Sequence, residues 1–265
     1  ALSGDNIAME DLKRCSAELS NRKEEILSSE NLQNGPLYSC TICNDTGYVN
    51  GKLCNCVIKK SKELSFQRLC SNMPLEESTF KSFQLSYYSK ENDDSGYAPY
   101  TVMQKNLAIC RSFSDKFPCF ENLFLCGGTG LGKTHLSLAI ANEVINKGFS
   151  VIYGSAQNLI KEVADETFSH KSNQTIDSLN NCDLLIIDDL GTEFSTNLSV
   201  SIIYNIINTR LLNKRSTIIS TNLSLQEVQT IYSPRIASRV IGNYTMRMFI
   251  GSDIRQLKAQ KAHGN

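Results

Sequence analysis

The sequence carries no excess of charge of either sign, because 27 lysines and arginines balance 27 aspartates and glutamates. Without a global positive field, any contact with nucleic acid has to come from local basic patches. The sequence also lacks an apolar run of about 18 residues, so we expect no transmembrane helix. The first residues, ALSGDNIAMEDLKRC, lack the basic-then-apolar order of a signal peptide, and they begin with alanine, as a trimmed piece of a longer protein would.

Cysteine, by contrast, is abundant, and four of the ten residues fall within the short segment 40–56. This segment, CTICNDTGYVNGKLCNC, contains two tight pairs in the pattern C-x₂-C-x₁₀-C-x-C, formed by Cys40, Cys43, Cys54 and Cys56. Four thiolates in such pairs predict a tetrahedral zinc site, although an iron–sulfur cluster would use the same ligands. Gly47 and Asn50-Gly51 fit a hairpin that brings the two pairs together. The predicted metal is structural, because the segment is too small to form a core of its own.

The remaining six cysteines are scattered, several of them inside apolar runs such as NLFLC. This distribution indicates buried thiols rather than the disulfide framework of a small secreted domain. We therefore expect a reducing compartment, the cytoplasm.

Composition divides the chain into an N-terminal helical and zinc-binding region at 1–85, a linker at 86–99 and a core at 100–265. Within the first region, residues 5–31 have the composition of a helix with a thin apolar stripe, which predicts packing on a partner or a neighbouring segment. Residues 59–70 are typical of a short basic amphipathic helix. The linker is predicted because SYYSKENDDSGYAP combines Ser, Asp, Gly and Pro without apolar periodicity.

From residue 101 onward, apolar strands alternate with helices. The predicted strands are 122–126, 150–154, 183–187, 216–221 and 244–250, and the predicted helices are 101–116, 133–146, 156–164, 198–213 and 224–231, with a polar stretch at 165–181. Such alternation predicts an α/β fold with a parallel sheet covered by helices on both faces. Ligands of such sheets bind at the carboxyl ends of the strands.

A glycine-rich run, GGTGLGKT at 127–134, follows an apolar strand and opens a helix. A P-loop requires this context, because backbone N–H groups and the helix dipole then face the phosphate oxygens. Lys133 is expected to reach the β- and γ-phosphates of ATP, and the Thr134 hydroxyl to ligate Mg²⁺. The candidate phosphate-binding residues are Gly127, Gly128, Thr129, Gly130, Leu131, Gly132, Lys133 and Thr134.

A second apolar strand, DLLII, ends in the acidic pair Asp188-Asp189. Asp188 is the candidate second ligand of Mg²⁺ and a nucleotide-binding residue, and Asp189 is the candidate general base. Aspartate is one methylene shorter than the glutamate that many proteins of this architecture use as the base. Glu193, four residues further on, is therefore an alternative base.

Four further polar residues follow in the second half of the core. Asn222 ends a strand, where its amide would orient the attacking water, or it caps the helix at 224–231. Arg235 and Arg239 lie four residues apart on one helix face, and Arg239 is the candidate arginine finger for a neighbouring subunit, with two surface arginines as the alternative. Arg255, in GSDIR, is a candidate second phosphate sensor in the same chain. The ten residues after it are too few for a full helical lid, so we expect an open site.

Together, the cysteine segment, the basic helix, GGTGLGKT, LLIIDDLGTE, STIISTNLS, RIASRVIGNY and GSDIR resemble bacterial replicative-helicase loaders of the DnaC/DnaI type. These are initiator-class AAA+ ATPases with an IstB-like ATP-binding core, and the resemblance covers nearly the whole chain. It implies a core that binds ATP or ADP with Mg²⁺, self-assembles through arginine fingers and contacts single-stranded DNA. It also implies that the N-terminal region grips the hexameric replicative helicase. The implied activity is ATP-dependent loading of that helicase during DNA replication, with slow hydrolysis stimulated by the partner or the DNA.

Two other interpretations stay open. A transposition helper of the IstB type has a related core but serves a transposase on duplex DNA, although the zinc segment is typical of the loaders. An ATP-binding adaptor with little turnover would also fit a short base and a missing lid. For DNA contact, the candidates are Phe168, His170 and Lys171, unless these only form a surface loop. A second basic cluster, which either flanks the helicase interface or forms a solvated helix face, is Lys59, Lys60, Lys62 and Arg68.

Overall fold

The computed structural model describes residues 14–22, 25, 38–57, 60, 77–93, 96–169 and 174–263. The chain divides into two compact units, Ala1–Cys56 and Val57–Asn265. Among the described helices, none combines the length and the apolar character that a membrane span needs.

The first unit contains a helical segment at 14–22 and a small antiparallel hairpin. Strand β1 is Tyr48–Val49 and strand β2 is Lys52–Leu53. The connecting residues Asn50 and Gly51 have φ angles of 51° and 75°, and a two-residue hairpin turn of this kind needs such left-handed conformations. The hairpin predicted from Asn50-Gly51 is confirmed. Most of the helix predicted at 5–31 lies outside the described residues.

The second unit is built around a five-stranded sheet in which all strand pairs are parallel. The strands are β3 (Leu123–Gly127), β4 (Val151–Ser155), β5 (Leu184–Leu190), β6 (Ser216–Thr221) and β7 (Thr245–Phe249), in the spatial order β4-β5-β6-β3-β7. The helices are α1 (Pro99–Lys116), α2 (Lys133–Asn146), α3 (Ala156–Phe168), α4 (Gln174–Asn181), α5 (Asn197–Leu212), α6 (Leu225–Tyr232), α7 (Pro234–Asn243) and α8 (Ile254–His263).

Alternate strand residues enter the two halves of the core, so the sheet is buried on both faces. Leu125 and Ile186 pack with α1 and α2, whereas Phe124 and Ile187 pack with α3, α5, α6 and α7. A parallel strand covered on both faces buries successive residues on opposite sides, which explains the continuous apolar run LLII in β5. The predicted α/β fold, with a parallel sheet between helical layers, is confirmed.

Local signals fix several of the helix starts. Helix α5 begins with a capping box in which Thr196 and Ser199 bond reciprocally, and Ser224 and Glu227 do the same for α6. The predicted elements agree with the observed ones to within a few residues. Two helices were not predicted. One is α8, and the other is α4, which forms inside the stretch 165–181 that was predicted as polar and without an element. Its single buried side chain, Leu179, gives too weak a pattern to indicate a helix.

The boundary between the compact units lies earlier in the chain than the predicted linker at 86–99. Tyr88 is only 5% exposed, and its hydroxyl donates to the carbonyl of Leu131 at 2.9 Å. Leu85–Tyr87 forms one 3₁₀ turn, and Pro99 already starts α1. The Ser, Asp and Gly content indicated a lack of long elements, but it could not show that the tyrosine packs against the core. The basic helix predicted at 59–70 lies almost wholly outside the described residues, with Lys60 alone described.

Candidate functional site

The loop between β3 and α2 is the glycine-rich run of the sequence. Gly132, with φ of 90°, immediately precedes the first helical residue, Lys133. A Cβ on Gly132 would lie 2.9 Å from Cε2 of Phe83, and one on Gly130 would lie 1.9 Å from Oδ1 of Asp253. Glycine is therefore required both by the left-handed backbone and by the close approach of neighbouring side chains.

The ammonium group of Lys133 lies inside this loop. Its Nζ donates at 2.7 Å to each of the carbonyl oxygens of Gly127 and Gly128 and to Oδ1 of Asn222. Burial lowers the pKa of Lys133, and the nearby carboxylates of Asp189 and Asp188 oppose that effect. A buried cation surrounded by neutral acceptors is well suited to an anionic ligand at the loop.

Asn222 was predicted either to orient water or to cap the helix that follows. The structure assigns the cap to Ser224, whose side chain accepts from the backbone N–H of Glu227. The amide of Asn222 faces Lys133 instead and lines the same cavity.

Asp188 is the most enclosed carboxylate of the candidate site, with only 2% of its surface exposed. It accepts hydrogen bonds from the hydroxyls of Thr134, at 2.9 Å, Tyr153 and Ser220. A carboxylate beside a threonine hydroxyl is the set of hard oxygen donors that Mg²⁺ prefers. The donor chemistry therefore fits a magnesium site at Thr134 and Asp188. Sequence reasoning missed Tyr153 and Ser220, because both lie inside strands and resemble ordinary sheet residues.

Asp189 occupies a β-bulge, because Ile187 pairs with Ile219 while Leu190 pairs with Thr221. The bulge gives Asp189 a φ of 52°, and its backbone N–H donates to Ser220 Oγ at 3.1 Å. Burial and the neighbouring Asp188 raise the pKa of Asp189, against the opposing effect of Lys133 and Arg255. A raised pKa makes a carboxylate a better proton acceptor near neutral pH.

Glu193, the alternative base, lies elsewhere. One of its carboxylate oxygens accepts from the hydroxyl of Tyr232, and the other accepts from the backbone N–H of Gly191 at 3.0 Å. It is not among the residues that line the cavity, whereas Asp189 is. The carboxylate of Glu193 therefore connects the loop after β5 to the end of α6.

Lys133, Thr134, Asp188, Asp189 and Asn222 line one cavity of about 600 Å³ at the carboxyl ends of the strands. Arg255, on α8, is also among the lining residues. The segment 78–88 forms one wall of the cavity, and α8 forms another. The wall residues that were not predicted are Ser78, Ser82, Phe83, Gln84, Tyr87, Tyr88, His135, Leu138, Ile254 and Lys258.

Aromatic side chains of the segment 78–88 pack against the glycine loop and the start of α2. The ring of Phe83 stacks on Tyr88, with 5.8 Å between centroids, and meets the His135 ring edge-on at 5.4 Å. Nε2 of His135 lies 2.9 Å from the carbonyl oxygen of Thr79, and burial lowers the pKa of this histidine. The segment FKSFQLSYY at 80–88 is rich in aromatic residues, and this is the sequence feature from which the aromatic wall of the cavity could have been predicted.

Arg239, like Glu193, is not among the residues that line the cavity of its own chain. Its guanidinium carbon lies 4.6 Å from the centre of the Tyr204 ring, and Nε donates to Oδ1 of Asn208 at 2.9 Å. Phe168 is 73% exposed at the end of α3, and the other candidate DNA contacts, His170 and Lys171, lie outside the described residues.

The four predicted cysteine ligands converge in the first unit. Their sulfur atoms all lie within 4.8 Å of one another, with 3.9 Å between Cys40 and Cys54 and 3.4 Å between Cys43 and Cys56. A tetrahedron with Zn–S bonds of ~2.3 Å has S–S edges of roughly 3.8 Å, so the thiols fit zinc. Backbone N–H groups of Cys43 and Ile42 lower the pKa of Cys40 to about 7, whereas the hydrogen bond with Cys43 raises the pKa of Cys56.

Polar contacts around the thiols hold the chain in place. The carboxylate of Asp45 accepts from the backbone N–H groups of Ser39 and Cys40, both at 2.9 Å. The backbone N–H of Cys54 donates to the carbonyl of Gly47 at 2.7 Å, which places the second cysteine pair against the first. The carboxylate of Asp45 therefore fixes the backbone at Cys40, and the hairpin fixes the position of Cys54.

Comparisons with known proteins agree with this architecture. The replicative helicase loader DnaC of Buchnera aphidicola subsp. Baizongia pistaciae is 27% identical over 214 residues, which span 79% of this chain and 82% of that protein. The DnaC of Escherichia coli K12 is 32% identical over 142 residues, 52% of this chain and 58% of that protein. Among solved structures, a DnaC helicase loader has a TM-score of 0.57 at 21% identity, covering 68% of this chain and all of that one. A DnaI structure has a TM-score of 0.53 at 23% identity, covering 68% of this chain and 93% of that one.

The structural neighbours show that the fold is shared, and the family follows from the sequence itself. Residues 92–242 match the family model described as IstB-like ATP binding protein. This match contains the glycine loop, the acidic pair, Asn222 and Arg239, and it covers more than half of the chain. The chain belongs to the IstB-like ATP-binding protein family.

Proposed function

We propose that this protein loads a replicative DNA helicase onto single-stranded DNA, using ATP that it binds with Mg²⁺ and hydrolyses at an interface with a second copy. One observation carries the proposal: Lys133, Thr134, Asp188, Asp189 and Arg255 line one cavity. The names of the relatives, replicative helicase loaders, support the biological role. This role belongs in the cytoplasm.

The proposed nucleotide lies along the cavity with its phosphates at the glycine loop. Backbone N–H groups of 127–134 and the ammonium of Lys133 bind the phosphate oxygens, and the dipole of α2 adds to the attraction. Arg255 approaches the phosphates from α8. We assign the adenine to the apolar side chains of the cavity wall, among which are Phe83, Tyr87 and Ile254.

Hydrolysis requires a metal site, a base and an oriented water. We assign the metal to Thr134 and Asp188, where Mg²⁺, when bound, neutralises charge on the β- and γ-phosphates. Asp189 accepts the proton of the attacking water, which its position in the bulge and its raised pKa support. The amide of Asn222, which already contacts Lys133, orients that water.

The positive charge of Arg239 completes the site of a second copy. In its own chain this arginine lies outside the cavity wall, and arginine fingers that act across an interface are placed in this way. Self-assembly and hydrolysis are therefore coupled in the proposal. A slow rate for the isolated protein, stimulated by partner or DNA, follows from that coupling.

The first unit is the proposed helicase-binding part. Zinc held by Cys40, Cys43, Cys54 and Cys56 stabilises it. Its hairpin presents Tyr48 and Leu53 as an opposite pair, 59% and 52% exposed, and exposed apolar surface of this kind marks protein–protein contacts. The ATPase core supplies the proposed contact to single-stranded DNA.

The test is a loading reaction with purified protein, hexameric replicative helicase and circular single-stranded DNA. We expect ATP to increase the amount of helicase that co-sediments with the circle, and Lys133→Ala to abolish the increase. Purified transposase with a duplex target serves as the parallel arm. Capture of the transposase, with the helicase left free, would replace the loader by the transposition helper.

A further inference from the structure

The side chain of Arg239 is held by two residues of helix α5. Tyr204 and Asn208 are four residues apart and therefore project from the same face of that helix. The Tyr204 ring lies under the guanidinium at 4.6 Å, and Oδ1 of Asn208 accepts from Nε at 2.9 Å. All three side chains are half-buried.

This arrangement leaves most of the guanidinium donors free. Among the described residues, the guanidinium has one further hydrogen bond besides that of Nε, from Nη1 to the carbonyl of Arg235 at a long 3.4 Å. Within the part of the chain that the structure describes, no carboxylate lies within ion-pair distance of Arg239. A half-buried arginine that is oriented but lacks an anion is suited to an anion from another molecule.

We propose that Tyr204 and Asn208 are positioning residues, which hold Arg239 in the orientation that reaches the terminal phosphate of a nucleotide bound by a second copy of this chain. The inference rests on the proposed function, since it deepens the role of Arg239 in hydrolysis. Tyr204 and Asn208 themselves touch neither nucleotide nor water in it.

The physical reason is preorganisation. A free arginine side chain has about 2 kcal/mol of rotamer entropy, part of which is lost when it binds an anion. Stacking on a ring confines the guanidinium to a plane, and the bond to Asn208 fixes its rotation within that plane. The Arg239 side chain is thus already ordered before the second copy binds, so the loss of its rotamer entropy does not weaken the association.

The alternative is that Tyr204 contributes to the stability of its own chain by packing and has no role in positioning Arg239. Its ring does contact the apolar core beneath α5, so its loss also affects stability. Packing and positioning are separable, however, because packing acts within one chain and positioning acts on the site of another. The experiment uses that difference.

The first measurement is ATP turnover at a protein concentration that supports self-assembly. We expect Tyr204→Leu and Asn208→Ala each to lower kcat about tenfold, the size of a partly desolvated cation–π contact or a charged hydrogen bond, with little change in KM. Tyr204→Phe keeps the ring and is expected to retain most of the turnover. Sedimentation with a non-hydrolysable ATP analogue should show weaker association for Tyr204→Leu and not for Tyr204→Phe.

The second measurement is complementation between two impaired variants. Lys133→Ala subunits lack a nucleotide site but carry a well-held Arg239, whereas Tyr204→Leu subunits have the reverse defect. In an equal mixture, the sites of the Tyr204→Leu subunits meet intact arginines, so turnover should exceed that of either variant alone several-fold. A defect of packing within the Tyr204→Leu chain would not be rescued in this way.

The outcomes separate the inference from the function that it depends on. Arg239→Ala is measured in parallel. If Arg239→Ala loses turnover while Tyr204→Leu keeps it, or if the mixture shows no rescue, the positioning role is wrong and the arginine finger stands. If Arg239→Ala hydrolyses ATP as fast as the wild type, or if the wild type shows no turnover, the proposed hydrolysis across an interface is wrong, and the positioning role is wrong with it.

Discussion

The hydroxyl of Tyr153 donates a hydrogen bond to the carboxylate of Asp188 across the neighbouring strands β4 and β5. Both side chains are nearly fully buried, at 1% and 2% exposed. The hydroxyls of Ser220 and Thr134 occupy two more acceptor positions of the same carboxylate. The candidate magnesium ligand is therefore held from three directions, and two of the three donors come from within the sheet.

The contact predicts the effect of Tyr153→Phe, which removes only the hydroxyl. A hydrogen bond to a charged group contributes roughly 1.5–3 kcal/mol, so a less firmly held Asp188 should bind Mg²⁺ more weakly. We expect the Mg²⁺ concentration for half-maximal ATP binding to rise about tenfold, measured by calorimetry at a series of Mg²⁺ concentrations.

The matched control is Tyr97→Phe, because this tyrosine is 67% exposed and lies outside the cavity wall. It should bind ATP with the Mg²⁺ dependence of the wild type. An unchanged dependence in Tyr153→Phe would show that Asp188 does not need its hydroxyl partner for metal binding.

The two candidate bases make different predictions. Asp189→Asn keeps the shape of the side chain but removes proton acceptance, so nucleotide affinity should persist while kcat falls by about 10²–10⁴. Glu193→Gln removes a carboxylate that bonds to Tyr232 and Gly191 outside the cavity, so we expect destabilisation with a much smaller loss of kcat. Similar losses of kcat in the two variants would overturn the assignment of the base to Asp189.

The pH dependence of turnover follows from the raised pKa of Asp189. The base must be deprotonated to work, so turnover rises as the pH increases through that pKa and is lost below it. Because burial and Asp188 raise the pKa, the acid limb should lie above the usual carboxyl range near ~4. A pH–rate profile measures this limb, and a limb at an ordinary carboxyl pKa would contradict the environment assigned to Asp189.

The parts of the site that the sequence predicted are those whose signal is local. GGTGLGKT and the acidic pair can be recognised from adjacent residues, because each lies at a strand end and needs particular residue types there. Tyr153 and Ser220 cannot be recognised in this way. Each lies inside a buried strand, and its role arises only when β4, β5 and β6 are paired in register. The buried position of Tyr88 likewise depends on contact with Leu131, 43 residues away in sequence.

Glycine substitutions test the fit between the loop and the wall of the cavity. Gly132 and Gly148 have similar left-handed φ angles, 90° and 87°, but only Gly132 has neighbours that a Cβ would meet. Gly148→Ala should therefore destabilise the protein by about 1 kcal/mol through backbone strain alone. Gly132→Ala adds a clash with Phe83 and Tyr88, so we expect a larger loss and a reduced affinity for ATP.

Urea unfolding and calorimetric titration with ATP measure the two effects separately. Gly148→Ala serves as the control for strain, because nothing lies within 4 Å of its added Cβ. If both variants lose the same stability and keep their ATP affinity, Phe83 and Tyr88 shift without a free-energy penalty. The aromatic wall would then not determine the shape of the cavity.

The cysteine cluster predicts one structural zinc ion per chain. Its four ligands lie in the first compact unit, whereas the cavity lies in the second. Removal of zinc by a chelator, or Cys43→Ser, should therefore unfold the first unit and abolish helicase binding while ATP affinity persists. Metal analysis of the purified protein and helicase pull-down measure the two consequences. Cys15→Ser is the control, because that thiol is exposed in the same unit and outside the cluster. Should the chelated protein still bind the helicase as tightly, the cluster would not support the partner surface.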